Sequence, residues 1–343
     1  MKRAFITGTA GFIGFHLAEL LLQEDWHVSG YDGMTDYYDV ALKQQRHDML
    51  RQHENFTATE AMLEDAATLS ATVATARPDV IVHLAAQAGV RYSIENPRAY
   101  LDANIIGTFN LMEAALAVRP KHLLMASTSS VYGANTDMPY AEAHMADTQM
   151  SFYAATKKAN EAMAHSWAHI HNLPITMFRF FTVYGPWGRR DMALFKFTKA
   201  ILAGAPIDVY NHGQMWRDFT YVDDLVHGIR LLIDATPDQG AAVAGDSLSP
   251  VAPFRVVNIG NSTKVRLEDF IDAIEVATGK AAIRNYMDMQ QGDVPATWAD
   301  TTLLTALTGY RPQTDLHEGV ARFVEWYITR YGAPDKERGK VTC

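Results

Sequence analysis

Tyr153 and Lys157 stand four positions apart in SFYAATKKANEAM (151–163), an alanine-rich stretch that predicts a helix. On a helix that spacing puts both side chains on one face. A phenol with a pKa of about 10 is a poor base at neutral pH, but a neighbouring ammonium favours the phenolate. Such a pair can take a proton from an alcohol while a hydride leaves the same carbon. Tyr and Lys are common at helical spacing, so the pair alone also fits plain packing. Earlier in the chain, MASTSSVYG (125–133) carries four hydroxyl residues in succession, Ser127 to Ser130, at the end of an apolar run. A hydroxyl there could share the proton and hold the substrate oxygen.

A hydride needs an acceptor, and ITGTAGFIG (6–14) supplies a place for one. Gly8, Gly11 and Gly14 follow a strand-like run and precede a helical one. Glycines there let the turn tighten, let backbone approach a pyrophosphate and let helix pack on strand. The helix N-terminus then offers free N–H groups and partial positive charge to phosphates. Asp32 lies 18 residues past Gly14, where a carboxylate can accept from an adenosine ribose and would repel a 2′-phosphate. The expectation is a dinucleotide site that prefers NAD to NADP, the alternative being a glycine turn that binds nothing.

These groups must be held by regular elements. Near-uniform apolar runs at 3–7, 27–32, 80–85, 122–127 and 175–180 read as strands buried on both faces of a parallel sheet. Helical patterns lie between them at FHLAELLLQ, 40–53, 65–76, 98–118 and 151–171. The alternation predicts a doubly wound α/β domain over 1–178. The second half, 179–343, is less regular, with helices near 191–203, 222–234 and 267–278, and a segment near 215–260 could return to the first domain. The stretch 236–253 reads as a surface loop and the piece most prone to disorder, and the tail APDKERGKVTC as frayed.

Composition sets outer bounds. The 343 residues are 48% hydrophobic and 20% charged, with a formal charge of −9, which argues against nucleic acid or a membrane surface as a bulk partner. The single cysteine, Cys343, leaves no intrachain disulfide or cysteine-rich metal site. The opening MKRAFITG is neither a signal peptide nor a membrane span, so a cytoplasmic protein is expected.

Taken together, Gly8/Gly11/Gly14, the Ser/Thr cluster before VYG and Tyr153-x-x-x-Lys157 resemble the extended short-chain dehydrogenase/reductases, the sugar-nucleotide epimerases and dehydratases. HLAAQAGVRYS, RFFTVYGPWGRRDMALF, RDFTYVDD and GDVPATWAD follow in the order expected of that family, to about residue 330. The resemblance implies a Rossmann fold with a smaller substrate domain and NAD held by Gly8, Gly11, Phe12, Ile13, Gly14, Asp32, Leu84, Ala85, Ala86, Asn104 and Ser127 with Tyr153 and Lys157. It implies Tyr153, Lys157 and Thr128 as the catalytic set, and a homodimer through the helices around 98–118 and 151–171.

Details select within the family. Its dehydratases carry Asp-Glu after the catalytic hydroxyl, and its uronate decarboxylases a Glu at the second of those positions. Here both are serine, Ser129 and Ser130, so epimerisation fits. Thr182 stands where glucose/galactose-type epimerases have Asn. With Arg189 it looks like the family's UDP-glucuronate 4-epimerases, in which these positions meet the sugar carboxylate, although Arg190 leaves the choice of arginine open. A physical reason agrees: a 4-keto uronate is a β-keto acid, and restraining its carboxylate keeps it from losing CO2. Arg91 is divided between substrate and structural roles. Arg217 and Asp293 match the residues that grip the UDP diphosphate and the uridine ribose. Gln290 replaces a second arginine, Trp216 a basic residue, and Met62-Leu63 an Asp-containing pair that bonds adenine. The alternatives are a UDP-glucose or UDP-N-acetylhexosamine 4-epimerase, a UDP-uronate decarboxylase, or a cofactor-binding regulator without chemistry.

Overall fold

A computed structural model describes residues 1–290 and 293–332; the tail expected to fray, with Cys343, lies outside the described residues. Six strands of the first half are β1 (Arg3–Thr7), β2 (His27–Asp32), β3 (Phe56–Glu60), β4 (Val80–His83), β5 (His122–Thr128) and β6 (Ile175–Phe180). With the strand Phe254–Ile259 they form one seven-stranded sheet in the order Phe254–Ile259, β6, β5, β4, β1, β2, β3. Every neighbouring pair is parallel. The apolar runs explain this: β4, β5 and Phe254–Ile259 are buried at every position, as strands covered on both faces must be.

Helices cover both faces. On one side lie α1 (Phe12–Gln23) and the helix Val222–Asp234, packed through Leu17, Leu21, Leu225, Ile229 and Leu232. Each such leucine contributes about 1.5–3 kcal/mol by leaving water. On the other lie the helices Ala66–Ala76, Gly107–Val118 and Phe152–His171. Strand order reverses between β1 and β4, and the crevice at their carboxyl ends is where doubly wound sheets take ligands. Within 215–260 only the parts from Val222 onward join this sheet: Val222–Asp234 covers it and Phe254–Ile259 extends it. The rest of the second half has its own core, in which Phe219 stacks on Phe270 at 4.0 Å beside Phe323 and Tyr327.

Three elements differ from the sequence reading. The edge strand β3 escapes it because only Phe56 among its residues is buried, so FTATE lacks an apolar run. The helix expected over 98–118 is continuous from Pro97 to Val118 but holds a π-helical stretch, running as Pro97–Tyr100, Leu101–Ile106 and Gly107–Val118. The loop 236–253, expected to be disordered, is tied down: buried Arg255 clasps Asp246 through two 2.8 Å bonds, and the Ser247 hydroxyl donates to the Val256 carbonyl.

Candidate active site

The glycine turn fills the crevice between β1 and β4. Gly8 has φ of +83°, and a Cβ there would lie 2.8 Å from the Ala85 nitrogen; a Cβ on Gly14 would lie 2.0 Å from the Gly8 carbonyl oxygen. Only hydrogens fit at either position. The Thr7 hydroxyl accepts from the Leu84 and Ala85 amides at 3.2 and 3.1 Å, which joins the turn to the loop after β4. Asp32 closes β2, its carboxylate accepting from Ala10 N at 3.0 Å and Met34 N at 2.9 Å. A single cavity runs from Asp32 past Gly8, Gly11, Phe12, Ile13, Gly14, Leu84, Ala85 and Ala86 to Ser127, Thr128, Tyr153, Lys157 and Arg189. A long ligand with phosphates in its middle fits that lining, because the glycine turn and helix start stand halfway along it.

Ser151 caps the helix Phe152–His171 by accepting from Ala154 N at 3.1 Å, which sets Tyr153 and Lys157 facing the cavity. The Lys157 ammonium donates to the Ala126 carbonyl at 2.9 Å, and burial draws its pKa down to about 8. Burial pushes the Tyr153 phenol up, while the Thr128 hydroxyl and the Arg189 charge pull the other way. The Lys157 ammonium is engaged with the Ala126 carbonyl, and Thr128 and Arg189 stand beside it as groups that favour the Tyr153 phenolate.

Other expected residues sit differently. Asn104 is fully buried beneath the cavity, donating to the Gln87 carbonyl and the Thr156 hydroxyl and accepting from Gln87 N at 2.8 Å. It holds the loop after β4 and does not face the cofactor cradle. Ser127 lines the cavity, but its hydroxyl donates at 2.6 Å to Glu161, which a buried Arg179 clasps from its other side. Ser129 and Ser130 form a short turn beside the lining, and Ser130 supports Thr128 through its amide at 3.2 Å and its hydroxyl at 3.3 Å. Arg91 is exposed and rests on the Tyr210 ring at 5.1 Å.

The two adjacent arginines take different partners. Arg189 lines the cavity and pairs with Asp191 through Nε at 3.0 Å and Nη2 at 2.5 Å. Arg190 turns away to Asp39 at 2.5 Å and the Tyr331 hydroxyl at 3.2 Å. Thr182 shares a small adjoining hollow with Arg189. Arg217 and Asp293 bond to each other at 2.7 Å, and the side-chain oxygen of Gln290 is buried with no partner among the described residues.

Sequence reasoning missed Tyr37, Lys43, Glu64 and Asp191. Lys43 lines the Asp32 end, donates to the Thr35 carbonyl at 2.5 Å and lies over the Tyr38 ring at 4.4 Å. Glu64 lines the same end next to Met62, with one carboxylate oxygen buried and unpartnered among the described residues. The aromatic pair in TDYYDV directly after β2 was the available signal for Tyr37.

The family described as GDP-mannose 4,6 dehydratase matches residues 5–323. A probable UDP-glucuronate 4-epimerase of Rhizobium meliloti (strain 1021) is 57% identical over 333 residues, covering 96% of this chain and 98% of that protein. UDP-glucuronate 4-epimerase 4 of Arabidopsis thaliana is 42% identical over 96% of this chain and 76% of its own. The crystal structure of UDP-glucuronic acid 4-epimerase from Bacillus cereus, in complex with UDP-glucuronic acid and NAD, superimposes with a TM-score of 0.86 at 30% identity over 96% of this chain and 100% of that one. A glycine cradle, a Tyr–Lys helix and a strand-end hydroxyl meeting in one cavity agree with these likenesses, and the chain belongs to the GDP-mannose 4,6-dehydratase family, within the extended short-chain dehydrogenase/reductases.

Proposed function

We propose that the protein is an NAD-dependent UDP-glucuronate 4-epimerase that interconverts UDP-glucuronate and UDP-galacturonate. The observation that carries this reading is Arg189, a cation lining the same cavity as Tyr153, Lys157 and Thr128. Asp191 already balances its charge through Nε and Nη2, but Nη1 makes no hydrogen bond among the described residues, and a uronate carboxylate could accept there where a neutral hexose has no such group. The Ser129–Ser130 pair agrees, because no carboxylate follows Thr128 to take a proton from C5.

NAD bound in the cradle supplies the acceptor and later donor of the C4 hydride, and a ring charge that favours Tyr153 phenolate. Tyr153 takes the proton from O4 as the C4–H bond breaks, and the Thr128 hydroxyl holds that oxygen. Arg189 and Thr182 restrain the C5 carboxylate, keeping its bond to C5 out of line with the new carbonyl. The 4-keto sugar swings about its link to the diphosphate while Arg217 and Asp293 hold UDP. Tyr153 then returns the proton to O4 once C4 has been reduced from its other face.

The reading places the substrate grip mainly in 179–343, and it includes a cytoplasmic homodimer. Exposed Leu101, Ile106, Phe109, Phe152 and Ile170 on the two helical segments support a C2 interface. No helix among the described residues is long and apolar enough to cross a membrane.

The test is turnover of UDP-glucuronate with separation of products. UDP-galacturonate should form with no added reductant, and Tyr153→Phe should lower the rate about 10³-fold while NAD stays bound. Conversion of UDP-glucose but not UDP-glucuronate would overturn the reading in favour of a neutral-sugar epimerase.

A further inference from the structure

A guanidinium has two edges that can each hold a carboxylate, one formed by Nε and a terminal nitrogen, the other by the two terminal nitrogens. Asp191 occupies the first edge of Arg189, taking Nε at 3.0 Å and Nη2 at 2.5 Å. Among the described residues no hydrogen bond uses Nη1. Asp191 is itself braced: the Tyr37 hydroxyl donates to it at 3.4 Å, and the Tyr37 ring lies 5.8 Å beneath the guanidinium and packs on Tyr92 at 4.8 Å. Arg189 is thus held by its side edge, over an aromatic shelf, with its end edge left for the cavity.

We infer that Asp191 is the positioning residue of the uronate grip: by clasping the side edge of Arg189 it aims the end edge at the C5 carboxylate and fixes the angle at which that carboxylate is held. The inference rests on the carboxylate-binding reading of Arg189 and adds what sets its orientation. Angle matters because of the intermediate. In the 4-keto uronate the C5–carboxylate bond breaks when it aligns with the C4 carbonyl π system. Its electron pair then passes to C5 as an enolate, CO2 departs, and C5 takes up a proton. The products are a UDP-4-ketopentose and the cofactor left reduced, since C4 has not received its hydride back. A loosely aimed Arg189 lets that alignment occur. A neutral hexose has no carboxylate, so Asp191 is also a specificity residue that matters for one substrate class only.

The test measures binding of UDP-glucuronate and UDP-glucose by calorimetry, and CO2 release and reduced-nicotinamide absorbance during turnover. The proteins are wild type, Asp191→Asn, Asp191→Ala, Asp191→Glu, Arg189→Ala and the Arg189→Ala/Asp191→Asn double variant. Asp191→Asn should weaken UDP-glucuronate binding about tenfold, the scale of a charged hydrogen bond, and raise the share of turnovers ending in CO2 and reduced cofactor. UDP-glucose binding should not change. The loss should vanish in the Arg189→Ala background, because Asp191 acts only through Arg189, and Asp191→Glu should recover part of it. Unchanged or tighter UDP-glucuronate binding in both Asp191→Asn and Asp191→Ala overturns the inference, as does an equal loss with UDP-glucose or an additive loss in the double variant. If Arg189→Ala itself binds UDP-glucuronate like wild type, the carboxylate reading of Arg189 falls and takes this inference with it. If Arg189→Ala is impaired and the Asp191 variants are not, only the role of Asp191 falls.

Discussion

The cofactor end and the sugar end of the cavity are built from different materials. At the cofactor end, backbone does the holding: Gly8 and Gly14 leave no room for a Cβ, and Asp32 is pinned by two amides. At the end proposed to take the sugar nucleotide stand long charged side chains, each already paired, Arg189 with Asp191 and Arg217 with Asp293. The first is a rigid mould that fits one shape. The second is a set of ion pairs whose arginines carry more donors than their partner carboxylates use, which leaves some for an anionic sugar nucleotide. An epimerase of the kind proposed needs both, because the cofactor must stay fixed while the hexose ring turns over.

The contrast predicts effects of different size and kind. Gly14→Ala should be the most damaging, since its Cβ would lie 2.0 Å from the Gly8 carbonyl. Thermal unfolding should show a loss of about 1–3 kcal/mol or more, and calorimetry should show NAD binding abolished. Normal NAD binding by the Gly14→Ala variant would show that the mould is softer than its contacts imply. Arg217→Ala should be milder and purely about affinity, raising KM for UDP-glucuronate and UDP-glucose alike by about 10–100-fold with kcat nearly kept. An effect confined to the uronate would mean that Arg217 reads the sugar and not the diphosphate.

The smallest effect is expected outside the cavity, beside the edge strand Phe254–Ile259. There Asn258, on the last strand of the sheet, donates to Tyr140, whose neighbour Ala299 belongs to the second half. Glu142 accepts from the Asn258 amide at 2.7 Å, and burial pushes its pKa from 4.5 up to about 7, against the pull of that amide. The folded chain therefore keeps a proton that the unfolded chain loses between those values. Stability from this group is present below about pH 4.5 and lost as pH rises through about 7. Glu142→Gln should remove that slope, stabilising the protein at about pH 8 by roughly 1–3 kcal/mol relative to its effect at about pH 4. Melting curves at the two pH values check it, and an unchanged slope would rule out Glu142 as its source.

The same two ends differ in how far the sequence discloses them. Strands β1, β2 and β6 match their expected bounds to the residue because they are apolar runs, and most of the lining at the cofactor end is legible because its glycines and acid lie close together in the chain. Asn104 lies in the π-turn Leu101–Ile106, which no residue type announces, and its side chain is committed to Gln87 and Thr156. The contact of Arg91 with Tyr210, more than a hundred positions along the chain, has no local signal.

By itself, then, the sequence determined the parallel sheet, the glycine cradle, and the Tyr153–Lys157 face, since each follows from short-range spacing and local backbone geometry. Only the tertiary structure decided which of two adjacent arginines enters the cavity, that Arg217 meets Asp293, and that Lys157 points at Ala126. Those outcomes depend on where distant carboxylates, carbonyls and aromatic rings come to lie once the layers have packed. Neighbouring arginines with identical chemistry carry no local signal of which partner each will find.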